Sequence, residues 1–243
     1  MDYSVMLDES FSYAKEGVWS KWSRWLLLIV CMIIFPLILG YMVRILRGEK
    51  PAPELKEWGS MFIDGLKLFV VELIYAAPVI LLIIIAFLPL VSSLVTSGAF
   101  YQDFSSMSNA QVNQWFMSHP EFVSAAGILI LLILAALVAA FIISIFSFLG
   151  TVRFAKTGRI SEAFNFSAIT AHIRRIGWLN YIIALVIIGV IGFIFGMITN
   201  IFSLIPVIGD IIGLLVMVIL YVPFILFSTR YNLLVYEAGE EKS

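Results

Sequence analysis

Cysteine is almost absent from this 243-residue chain, with Cys31 as its single thiol. An internal disulfide is therefore excluded. A reactive thiol needs a cationic or polar setting, and Cys31 lies in an apolar run, so it reads as a small buried hydrophobe. Histidine is scarce too. The two residues, His119 and His172, fall on opposite sides of a membrane in the topology below and share no metal. No His-Glu-x-x-His, Gly-x-Ser-x-Gly or Gly-Lys-Ser/Thr element occurs. No enzymatic activity, cofactor, metal or nucleic-acid partner is expected. Charged residues make up only 13% of the chain, against about 25% in an ordinary soluble domain.

What is present is hydrophobic, 62% of all residues, with a mean hydropathy of +1.05. Such a chain belongs in a bilayer. Residues 1–24 mix acids with bases and precede no small-x-small site, so no cleavable signal is expected. They form an N-terminal amphipathic helix, with Phe11, Val18, Trp22 and Trp25 on one face. Trp19, Trp22, Trp25, Trp58 and Trp178 suit the headgroup layer as interfacial anchors.

Residues 25–230 read as the membrane domain. The first apolar segment, Trp25 to Leu46, either just spans or is broken at Pro36 into two arms that dip in and return. Full spans are expected over 68–95, 122–149, 178–202 and 211–228, with "SLIPVIGDIIG" as a tight turn before the last. Two further interfacial helices are expected at 51–66, started by Pro51 and Pro53, and at 162–175. In the latter, Phe166, Ile169, Ile173 and Ile176 form the apolar face and His172 lies largely opposite. "SNAQVNQWFM" forms a short helix capped by Ser108, and Pro120 opens the next. Residues 231–243 read as a polar tail.

Charge is sorted along the chain. Loops 44–67 and 151–177 carry five Lys or Arg each, while 96–121 and 203–210 carry none. The positive-inside rule puts the first two in the cytoplasm, with the C-terminus and its Arg230 and Lys242, and loop 96–121 outside. Five full crossings would put residues 1–24 outside, whereas a dipping hairpin at Pro36 puts them inside.

The segments "GYMVRILRGEKPAP" and "GTVRFAKTGRISEAFNF" look alike. A shift of 110 residues lays Gly40 on Gly150 and Gly48 on Gly158, and brings Arg44 and Arg47 within a residue of Arg153 and Lys156. This is a weak internal duplication, with halves of about 25–97 and 122–202. Gly48 and Gly158 suit the left-handed turn that stops a helix. Arg44, Arg47, Lys50, Arg153, Lys156 and Arg159 are candidate contacts for lipid headgroups or another anion; simple anchoring of helix ends would need no ligand.

"ILGYMVRILRGEKPAPELKEWGSMFIDGLKL", with "VRFAKTGRISEAFNF" and "GWLNYI", resembles an integral-membrane family known as domain of unknown function four-zero-one-three. The resemblance runs from about Trp25 to Tyr231. It implies a prokaryotic, mainly archaeal, cell membrane. It brings no activity and no functional residues.

The remaining candidates are polar or small groups within spans. Glu72 is a candidate intramembrane polar site, since a carboxylate there is costly and faces protein or water. Gly189, Gly192, Gly196, Gly209 and Gly213 have small-xxx-small spacing and are candidates for helix packing, within the chain or in a homo-oligomer. The sequence thus reads as an all-α polytopic bundle with four full spans, a short or dipping N-terminal segment and interfacial amphipathic helices. A non-catalytic structural, lipid-interacting or assembly component is the leading reading, with membrane lipids and an unidentified membrane partner as its company. A small channel or transporter using the duplicated halves and Glu72 is the alternative.

Overall fold

The computed structural model describes residues 1–205 and 208–240, which form two compact units: Met1–Glu72 with Ile145–Ser243, and Leu73–Ser144. Pro206 and Val207 of the expected tight turn, and Lys242 of the expected tail, lie outside the described residues. Helices account for the regular structure, with no strand among the described residues.

In the first unit, α1 (Tyr3–Val18) is capped by Asp2, whose side chain accepts from the amides of Ser4 and Val5. The first apolar segment forms two helices, α2 (Trp22–Ile33) and α3 (Phe35–Leu46). Proline disfavours the helical conformation in the residue before it, and the break falls at Ile34 (φ −97°, ψ 74°) with Pro36 in the first turn of α3. Each arm is about 18 Å long, too short for a core of about 30 Å. Arg24, at the start of α2, donates to the Ala52 carbonyl (3.2 Å). From α3, Tyr41 donates to the Pro53 carbonyl (3.1 Å) and Arg44 to that of Glu54 (3.2 Å). Both arms are tied to one stretch, so the chain turns back rather than crossing.

The expected interfacial helix at 51–66 does not exist as a separate element. Residues 50–57 are non-helical, and Trp58 starts α4 (Trp58–Thr96). Pro51 and Pro53 lie outside any helix. The amphipathic pattern of 55–66 is instead the first turns of a long span, and α4 meets α3 backbone to backbone. A Cβ on Gly40 would lie 1.8 Å from the Met61 carbonyl oxygen, and one on Gly65 would lie 1.7 Å from that of Pro36.

The chain re-enters this unit at Ile145, within α6 (Pro120–Thr157). Gly158, with φ +70°, ends α6, and Gly48, with φ +98°, follows α3 in the same way. Both are conformations that side chains strain to adopt. After the short α7 (Ile160–Ala163), Asn165 caps α8 (Phe166–Ile176). His172 is not opposite the apolar face of α8 but part of its buried side, with Ile169, Ile173 and Ile176. It lies against α10 (Gly209–Glu240).

Between them α9 (Trp178–Asn200) runs antiparallel to α10. Phe195 stacks on Phe224 at 4.3 Å between ring centroids, and Tyr231 donates to the Ala184 carbonyl (3.2 Å). The last helix does not stop at 228. It continues through the expected polar tail to Glu240, because Tyr231, Leu233, Val235 and Tyr236 bury an apolar face there.

The second unit holds the remainder of α4 and the start of α6, joined by 3-10 turns and α5 (Asn109–Ser118). Ser108 and Gln111 close a capping box on α5. Trp115 stacks on His119 at 4.1 Å and meets Phe104 edge-on at 5.0 Å, so aromatic packing closes this loop.

Four helices, α4, α6, α9 and α10, are long and apolar enough to cross a membrane. Most of their apolar side chains face outward, as lipid contact requires.

Candidate functional site

Each of the six cations that the sequence offered to headgroups has a carboxylate partner within the protein. Arg44 is 8% exposed. Its guanidinium donates to the carbonyls of Glu54 (3.2 Å) and Glu57 (3.4 Å) and to Ser60 Oγ (3.3 Å), with the Glu57 carboxylate at 3.6 Å. Arg47 pairs with Asp64 (2.7 Å) and donates to the Ala155 carbonyl (3.1 Å), joining α3, α4 and the end of α6. Lys50 pairs with Glu9, Arg153 with Glu162, and Lys156 with Glu240 (2.7 Å). Arg159 lies 3.5 Å from Glu162 and keeps 70% of its side chain exposed, so it retains a free path to solvent or headgroups.

Arg230, which the sequence groups with the cytoplasmic C-terminus, is not a surface charge. It is 3% exposed and pairs with Glu9 at 2.5 Å. Burial alone would raise the Glu9 pKa, but the hydrogen bonds and charges of Lys50 and Arg230 outweigh it and hold the carboxyl below its ordinary range. The hydrogen bond from Arg153 does the same for Glu162. Glu9, Tyr13 (which donates to the Glu49 carbonyl, 3.0 Å) and Arg230 thus lock α1 to the end of this unit that carries the basic loops.

His172 closes the layer. Its Nε2 lies 2.8 Å from the Tyr236 carbonyl oxygen, so this nitrogen carries the proton and donates. The ring stacks on Tyr236 at 4.0 Å, and burial pushes its pKa down.

The tryptophans divide. Trp19, Trp22, Trp58 and Trp178 are exposed. Trp25 stacks on Trp22 and donates its indole N–H to the Ile219 carbonyl (3.1 Å). That carbonyl lies four residues before Pro223, which has no N–H to offer it. Trp25 therefore repairs the gap that proline leaves in α10. Beside it, α1, α9 and α10 enclose a groove of about 560 Å³, lined by Phe11, Trp19, Phe195, Pro223 and Phe224, with Lys15 as its one cation.

The glycines divide as well. A Cβ on Gly209 would meet the Phe202 carbonyl at 2.0 Å, and one on Gly213 that of Thr199 at 3.1 Å, so these two allow a close approach to the end of α9. Gly192 has ordinary space, with Phe224 at 3.8 Å, and nothing lies within 4 Å at Gly189 or Gly196. Packing within the chain does not call for glycine at those two. Of the polar side chains in the apolar helices, Ser144 donates to the Phe141 carbonyl and Asn200 to that of Gly196, each on its own helix, while Asn180 donates to the Ile176 carbonyl at the end of α8 and accepts from the Tyr3 hydroxyl of α1. Glu72 is exposed beside a small polar cavity of the first unit.

These features define a polytopic helical membrane protein with four spans, a helical hairpin that does not cross and a layer of internal ion pairs. The chain belongs to the family described as Protein of unknown function (DUF4013), whose model matches residues 25–205. No curated protein and no solved structure matches it.

Proposed function

We propose that the protein is a non-catalytic component of a prokaryotic cell membrane, archaeal by the resemblance of its sequence, that engages lipids in one leaflet. The observation that carries this reading is the α2–α3 hairpin. Its arms of about 18 Å cannot cross, and both return to residues 52–54. With α1 bound to the same end through Glu9, the hairpin and α1 together add protein volume to one leaflet. The charge pattern makes that leaflet the cytoplasmic one.

The aromatic groove supports the same reading. Apart from Lys15 its lining is apolar, which fits an acyl chain whose anionic headgroup meets the ammonium. Because Arg44, Arg47 and Arg153 are held by carboxylate partners, any preference for anionic lipid falls to Lys15 and the exposed Arg159 rather than to the other cations of the duplicated clusters.

The test is reconstitution of the full chain into fluorescent vesicles of mixed size. An element wedged into one leaflet favours curved membranes, so protein density per unit area should rise as vesicle diameter falls. Lys15→Glu should lower retention of anionic lipid during purification. Equal density on small and large vesicles, with equal lipid retention in the variant, would overturn the proposal.

A further inference from the structure

Between α3, α4, the end of α6, α9 and α10 the first unit holds a cavity of about 170 Å³. Glu72, Thr151, Ser228, Thr229 and Asn232 give it oxygen atoms amid an otherwise apolar lining. Two of these groups are unusual. Thr229 is 3% exposed, yet its Oγ1 has no hydrogen-bond partner, and neither has the buried Oδ1 of Asn232. The amide of Asn232 faces Thr151 Oγ1 at 3.4 Å, which leaves its carbonyl side open. The Thr151 and Ser228 hydroxyls donate to the carbonyls of Phe148 and Ile225 and keep lone pairs to offer. Among the described residues no donor or cation pairs with the Glu72 carboxylate.

Leaving a buried oxygen without a hydrogen-bond partner is costly, and leaving a carboxylate without one in a membrane segment costs more. One ligand relieves all three groups at once. We propose that this cavity binds a monovalent inorganic cation, held by the Glu72 carboxylate with Thr229 Oγ1 and Asn232 Oδ1. Hard oxygen donors suit an alkali cation. The single carboxylate sets the charge: a monovalent ion is neutralised, whereas a divalent one would leave a net positive charge in apolar surroundings. The volume exceeds the roughly 30 Å³ that one water occupies in the liquid, so the ion can keep part of its hydration shell.

The experiment uses purified full-length protein in nanodiscs. Cys31, the only thiol and 1% exposed, reports unfolding through a thiol-reactive fluorophore. Unfolding is followed against sodium chloride, potassium chloride and choline chloride at equal ionic strength. The wild type should gain stability saturably with sodium or potassium relative to choline. Glu72→Gln should abolish that gain, while Glu121→Gln, at the other end of α6, should keep it. Thr229→Val is the second variant. Removing an orphaned hydroxyl should not harm the cation-free protein, but it should shift the half-saturating cation concentration upward several-fold. Binding of radioactive sodium to the wild type, displaced by unlabelled sodium or potassium, is the direct measure. Identical melting in all three salts with no displaceable sodium overturns the proposal. So does a Glu72→Gln protein more stable than wild type in every salt, which is the mark of a carboxyl that works protonated.

Discussion

Gly40 and Gly65 provide the sharpest test of the first unit. Alanine at either puts a Cβ 1.8 Å or 1.7 Å from a backbone oxygen, where real Cβ atoms keep at least 3.0 Å. The shortfalls are 3.0 − 1.8 = 1.2 Å and 3.0 − 1.7 = 1.3 Å. No side-chain rotation relieves them, because the obstructing atoms are the carbonyls of Met61 and Pro36. The helices must separate by more than 1 Å, and a gap of about 0.5–1 Å already forfeits a quarter to a half of each dispersion contact. Overpacking of this kind costs about 3 kcal/mol or more. The better helix propensity of alanine returns about 1 kcal/mol. A net loss of about 2 kcal/mol should lower the melting midpoint by about 4–8 °C. Cys31 reads it directly, since it is buried in the same cluster as Tyr41 and Met61. The double variant should cost less than the sum, because the first substitution already parts the helices. Gly189→Ala and Gly196→Ala, with nothing within 4 Å, should melt no lower than wild type. A Gly40→Ala protein within a degree of wild type, or a Gly189→Ala protein that loses as much, would refute the reasoning.

Arg44→Lys should destabilise by about 2 kcal/mol with unchanged selectivity for anionic vesicles, since lysine cannot reproduce the fork across two carbonyls and Ser60. Glu9→Gln should cost about 2–3 kcal/mol, at or below the low end for breaking a buried pair because Glu9 is 35% exposed, and a Glu9→Gln/Arg230→Met protein should recover much of it in urea or thermal unfolding. His172 has a lowered pKa in the folded protein, so the unfolded chain takes up its proton first and stability, complete above about pH 6.5, falls as the pH drops below that value. His172→Gln should flatten the melting profile between about pH 7.5 and 5.5, where Glu9 and Glu162 stay ionised; an unchanged slope would contradict it. In a Cys31→Ser background, an impermeant thiol reagent outside intact cells should label Ser108→Cys but neither Ser161→Cys nor Ser4→Cys, and equal labelling of all three would overturn the topology.

The spans were legible because each needs only a long apolar run, and the turn after Ser108 because its cap and box residues lie three apart. The break at Pro36 was visible as two alternatives. What chose between them is Arg24 and Tyr41 reaching the 52–53 carbonyls, contacts that no local pattern encodes. Residues 55–66 show the limit of periodicity. An amphipathic face at the start of a span looks like one in the interface plane until Gly40 and Gly65 reveal that the face is packed against α3. His172 misled for a related reason: it was sorted by polarity, but its ring lies flat on Tyr236 while one nitrogen serves a carbonyl.

The basic clusters carry the larger lesson. Read along the chain, Arg44, Arg47, Arg153 and Lys156 have no close acid before them, which invites a lipid phosphate as the missing anion. Read in space, the anions come from Glu57 just before α4, Asp64 early in α4, Glu162 on α7 and Glu240 at the end of α10, and Glu9 on α1 serves the neighbouring Lys50. Most of these acids lie in segments that sequence reasoning had set aside as surface helices or tail. A chain with so few charges at the membrane edge has little reason to leave them unpaired, because each desolvated ion costs several kcal/mol without a partner. Against that internal pairing, Lys15 beside an apolar groove and Glu72 beside a cavity with orphaned oxygens are charges placed next to a space that a ligand can fill. Lipid and cation recognition in this protein should therefore be sought there and at the exposed Arg159, rather than at Arg44, Arg47, Arg153 or Lys156.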